Sequence, residues 1–141
     1  EMNVHGVPFK LETREELNGM ACKGNVLKLP ADCTYNRLYI LAAAASDKDV
    51  KGIFRVGKYV QEVIVPSYTG FIGQWGHTGH TEGYLKDAEV AYVGTHRHSG
   101  EGDQPYEFTY MFKFAIDLPE RATEVVLPDN KDIVIFCRHF D

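Results

Sequence analysis

Apolar and polar positions alternate most clearly in EFTYMFKFAID, residues 107–117. Phe108, Tyr110, Phe112, Phe114 and Ile116 share one face, and Thr109, Met111, Lys113, Ala115 and Asp117 share the other. A period of two predicts a long strand with one strongly buried face. GIFRVGKYVQEVIV, residues 52–65, divides at Gly57-Lys58 into two strands joined by a tight turn. RLYILAAAA, residues 37–45, is apolar almost throughout and lies between the turn residues Asn36 and Ser46-Asp47. Its length favours a strand in the middle of a sheet, with a short buried helix as the alternative.

Five more segments have strand character: VPFKLE (7–12), NVLKLP (25–30), EVAYVGTH (89–96), TEVVLP (123–128) and DIVIFCRHF (132–140). Pro30, Pro66, Pro119 and Pro128 each follow an apolar run, where a missing N–H is tolerated. TREELNG, residues 13–19, is the only segment with helical character, and Gly19 limits it to a turn or two. About eight or nine short strands separated by turn signals predict an all-β fold, an antiparallel β-sandwich or jelly roll.

Composition narrows this picture. The 141 residues suit one domain over 1–141, and 44% hydrophobic against 25% charged residues is enough apolar content to build a core. A net charge of −5 with no basic cluster argues against nucleic acid as a partner. The longest apolar run, LYILAAAA, is far short of a membrane-spanning helix, so no membrane partner is expected. The opening EMNVHG looks like a cut in a longer polypeptide, and a lost signal peptide would look the same. Cys22, Cys33 and Cys137 leave at least one thiol unpaired. Buried free cysteines are expected, with a Cys22–Cys33 disulfide as the alternative.

Three constellations could carry chemistry. His96 and His98 fall on the same side of an extended segment, and His77 and His80, with Glu82 or Glu101, could complete a metal site. Gly76, Gly79 and Gly83 exclude a helical His-Glu-x-x-His arrangement. Histidines exposed on Gly-rich loops are the plainer reading, and no metal or other cofactor is expected. Among the acids Glu82, Asp87, Glu89, Glu101, Asp103 and Glu107, no pair stands out as the two carboxylates of a glycosidase. Tyr68, Phe71, Gln74, Trp75, Tyr84, Tyr92 and Tyr106 cluster near the same loops. Sugar rings stack on aromatics while polar side chains hold their hydroxyls, so this mixture suits a carbohydrate surface. The competing reading makes Trp75 and Phe71 core anchors.

NRLYILAAAASDKDVKGIFRVG (36–57), VPSYTGFIGQWGHT (65–78), AYVGTHRHSGEGDQPYEFTYMFKFAIDLP (91–119) and ATEVVLPDNKDIVIF (122–136) carry a resemblance. They resemble the C-terminal β-sandwich of bacterial proteins related to glycoside hydrolase family 38, the α-mannosidases. The likeness runs from about Val7 to Phe136. Its most specific parts are Gly94 to His98, Tyr106 to Tyr110 and Phe71 to Trp75.

The resemblance implies a galactose-binding-like jelly roll serving as a non-catalytic accessory module of a larger α-mannosidase-type hydrolase. It carries over no catalytic residue. It further implies a catalytic domain in the same polypeptide as partner, a carbohydrate ligand, and a periplasmic or extracellular setting. The expected contact residues are Tyr68, Gln74, Trp75, His77, His80, Tyr92, His96, Arg97, His98 and Tyr106. An independent carbohydrate-binding module, and a small metal-dependent enzyme using His77, His80, His96 and His98, are the alternatives.

Overall fold

The structure, a computed structural model, describes residues 2–9, 19–29, 34–71, 88–94, 97–104 and 107–141. In chain order the strands are β1 (Met2–Val4), β2 (Val7–Phe9), β3 (Met20–Lys23), β4 (Val26–Lys28), β5 (Arg37–Ala44), β6 (Val50–Val56) and β7 (Tyr59–Val65). They continue with β8 (Thr69–Phe71), β9 (Glu89–Gly94), β10 (Arg97–Ser99), β11 (Gly102–Gln104), β12 (Glu107–Asp117), β13 (Glu124–Val126) and β14 (Asp129–Phe140). No helix occurs among the described residues. The helical turn expected at 13–19 lies outside them, apart from Gly19.

Two antiparallel sheets form the sandwich. One runs β3-β14-β5-β12-β8, with β9 also paired to β12; the other runs β4-β13-β6-β7. RLYILAAAA is the central strand that its continuous apolarity predicts, since β5 is flanked by β14 and β12. Leu38, Ile40, Ala42 and Ala44 of β5 turn towards the second sheet. There they join Ile133 and Ile135 of β14, Ile116 of β12, Phe54 and Val56 of β6, Val65 of β7 and Val125 of β13. Phe54 is fully buried, and sequestering such a side chain contributes about 1.5–3 kcal/mol. The hairpin predicted at Gly57-Lys58 is present, with β6 and β7 in register from Val50↔Val65 to Val56↔Tyr59.

The opposite face of β5 is also covered. Leu41 packs with Cys137 of β14 beneath Val4 and Phe9, which come from the N-terminal hairpin β1–β2. A third cluster, Ala43, Tyr110 and Phe112, takes in Tyr68, Ala88, Val90 and Phe136 at its margin. Cys22 is a free thiol in the main core, and burial pushes it up to about 11, so it stays protonated at neutral pH. Cys33 lies outside the described residues.

One side chain joins the two sheets along an open edge. The Gln61 amide on β7 donates to the Asp117 carbonyl at 2.8 Å and accepts from the Asp117 N–H at 2.9 Å. It thereby satisfies both backbone groups at the end of β12, as a neighbouring strand would. Replacing it by Ala is expected to cost about 1 kcal/mol. Phe54→Ala, which empties the space between the sheets, is expected to cost about 3–5 kcal/mol. Urea unfolding of the two variants beside the parent measures both losses.

Candidate functional site

β9 borders the six-stranded sheet, and the next strands in the chain, β10 and β11, form a small hairpin. β9 pairs with β12 from Glu89↔Lys113 to Gly94↔Thr109, with Ala91 bulged out between Val90↔Phe112 and Tyr92↔Met111. Ala91 packs at the margin of the cluster under the N-terminal hairpin. Tyr92 is left 51% exposed, with Val93 also exposed beside it. Strand and partner come close at Gly94, where a Cβ would collide with the Thr109 hydroxyl. Only glycine allows that approach.

The Gly-rich composition of residues 94–105 suggests an exposed loop, yet the described residues 97–104 form two short paired strands. In this β10–β11 ladder Arg97 faces Gln104, His98 faces Asp103 and Ser99 faces Gly102. A positive φ at Gly102 (110°) lets the chain reverse there.

The expected contact residues divide as follows. Tyr92 stands exposed on β9, and Arg97 and His98 lie on β10, which follows it. Tyr68 is half-buried against the third cluster. Its backbone bridges two strands, its N–H donating to the Ala44 carbonyl and its carbonyl accepting from Tyr110. Tyr68 is therefore held at the core margin. Gln74, Trp75, His77, His80, His96 and Tyr106 lie outside the described residues. No group of three potential metal ligands converges among the described residues.

A polar cluster that the sequence reading passed over sits below Tyr92 on the same strand. Lys113, assigned by alternation to the polar face of β12, is only 9% exposed, and its ammonium donates to Glu89 Oε1 at 3.0 Å. It also lies 5.6 Å from the centroid of the Tyr39 ring, a cation–π contact. The His5 imidazole, at the corner of the β1–β2 hairpin, bonds the same Glu89 oxygen.

Desolvation alone would raise the Glu89 pKa. The hydrogen bonds and positive charge of Lys113 and His5 outweigh it and hold the carboxyl below its ordinary range. One sequence signal was available: a lysine in the middle of an aromatic strand needs an anionic partner if the sheet is covered on that side.

Glu89→Gln leaves the Lys113 ammonium buried beside a neutral amide. The expected cost is about 1–3 kcal/mol, less than for a fully buried pair because the carboxylate is itself solvated. Lys113→Met keeps the packing over Tyr39 and should cost less. Since the folded-state pKa of Glu89 is depressed, its contribution is present above the unfolded carboxylate value and is lost as pH falls through the lowered one. Stability below about pH 5 should therefore fall more steeply in the parent than in Lys113→Met, as acid titration of urea midpoints will show.

No curated protein matches the chain. Among known families, residues 1–138 match the AziU2-like beta-sandwich domain. That description agrees with the two-sheet architecture and names no hydrolase, so it supports the sandwich half of the resemblance to α-mannosidase-related proteins and lends nothing to the hydrolase half. The chain belongs to the AziU2-like β-sandwich domain family.

Proposed function

We propose that this domain is a non-catalytic accessory module that acts through surface contact, with carbohydrate as its ligand and a catalytic domain of the same polypeptide as its neighbour. The observation that carries this reading is the exposed Tyr92 on a border strand, the strand before the β10–β11 hairpin in the chain. An aromatic ring offered to solvent on β9, with Arg97 and His98 next in chain order on β10, suits sugar recognition, in which the ring stacks on C–H faces and polar groups hold hydroxyls. Short strands fix the backbone on which these residues stand, which limits the ordering cost of binding. The likeness of residues 36–57, 65–78, 91–119 and 122–136 to the β-sandwich of α-mannosidase-related proteins is the reason for choosing mannosides first.

Titration of the 15N-labelled domain with methyl mannosides and galactosides tests the ligand. The expected result is saturable shifts at the amides of Tyr92 and of Arg97 to Gln104, with affinity falling about three- to tenfold in Tyr92→Ala. Silence of these amides at about 10 mM sugar, weaker than any useful module affinity, overturns the glycan reading. A gene encoding no large domain beside this one overturns the accessory role.

A further inference from the structure

The N-terminal hairpin lies on the six-stranded sheet without joining it. Among the described residues β1 and β2 pair only with each other. Two kinds of contact hold the hairpin down. Val4 and Phe9 are buried against Leu41 and Cys137, and the His5 imidazole at the corner bonds Glu89 on β9.

That corner is an unusual place for histidine. His5 (φ 48°) and Gly6 (φ 86°) are both left-handed, as a type I′ turn requires, and Asn-Gly is the usual choice there. The turn already has a side-chain bond of its own, from the Gly6 N–H to Asn3 Oδ1 at 3.0 Å. The turn therefore gains nothing specific from an imidazole at position 5. What the imidazole adds is reach to the sheet.

Its target is already half of an ion pair. Glu89 accepts from Lys113, which is buried over the Tyr39 ring. Other titratable side chains facing the hairpin among the described residues are Tyr39 and Cys137, in the cluster beneath it, and His139 of β14, edge-on to Phe9 with ring centroids 6.5 Å apart. Glu89 is held below the ordinary carboxylate range and so stays ionised at neutral pH, and an imidazole is the side chain whose ordinary charge change falls around that pH.

We propose that the β1–β2 hairpin is a proton-sensitive strap, tied to the sheet while the His5 imidazole is protonated against Glu89 and looser once it is neutral. With the proton the contact is an ion pair as well as a hydrogen bond; without it the imidazole N–H still donates to the carboxylate, so losing the charge weakens the corner without removing it. The apolar contacts of Val4 and Phe9 set how far the strap then opens. What it uncovers is the strip formed by Tyr39, Leu41, Ala91 and Cys137.

Amide hydrogen exchange of the full chain, corrected for intrinsic rate, tests this. Protection of the Val4, Val7 and Phe9 amides should fall about threefold between about pH 5.5 and about pH 8.5, while that of Leu41 and Ala42 on β5 holds. His5→Gln should abolish the pH response of the hairpin, and His139→Gln should leave it intact. A hairpin whose protection does not change with pH overturns the strap. So does a response that survives His5→Gln, one that disappears in His139→Gln, or one shared equally by the β5 amides.

Discussion

Burial of β5 on both faces is the constraint from which the rest of the architecture follows. A strand with one apolar face needs one cover. Leu38, Ile40, Ala42 and Ala44 on one side and Leu41 and Ala43 on the other are all buried, so this strand needs two. The four-stranded sheet supplies the first cover; on the other side the N-terminal hairpin covers Leu41, and Ala43 packs in the cluster of Tyr110 and Phe112. The run of alanines at the end of β5 fits this arrangement, because it lies where layers approach from both sides and larger side chains would overfill the space. Hydrogen-bonded neighbours on both edges complete the burial.

Covering the outer face changes the character of every residue that points to it. Lys113 lies on the polar side of β12 by alternation, yet the cover brings it under low solvent exposure. A buried ammonium requires an anion and preferably an aromatic face, and Glu89 and Tyr39 provide them. Glu89 in turn offers the hairpin corner its attachment through His5. The polar cluster thus follows from how the sheet is roofed. Tyr92, three residues further along β9, stays exposed.

The long elements were legible because their side chains repeat the geometry of the pleat. Tyr110, Phe112 and Ile116 are buried as alternation predicts, and the Gly57-Lys58 turn joins two strands of equal length. The missed strands are short: MNV, MACK, TGF, RHS and GDQ are too brief for alternation to detect, and only their partners make them strands. Gly, Ser and Asp in SGEGD signal a loop equally well, so composition could not distinguish a loop from the turn of a small ladder. At the site, Tyr92 is exposed and Tyr68 is half-buried at the core margin. A tyrosine near glycine gives no sign that its backbone will bridge Ala44 and Tyr110.

Two single-residue bulges account for what alternation cannot supply. In β14 the register against β5 slips between Ile135↔Ala42 and Cys137↔Leu41. Ile133 and Ile135 therefore face the main core, whereas Cys137 and His139 face the hairpin, although all four occupy odd positions in one strand. In β9 the extra residue Ala91 advances the pairing so that Glu89, and not Val90, stands opposite Lys113. Without it the ammonium would meet a valine, and the imidazole of His5 would find no carboxylate at that point of the sheet. A bulge adds one residue to one strand and reverses the faces of everything beyond it. The seat of the hairpin and the tie at its corner thus both depend on irregularities that no count of period two could foresee, each placed where the sheet must present a different face to the element lying on it.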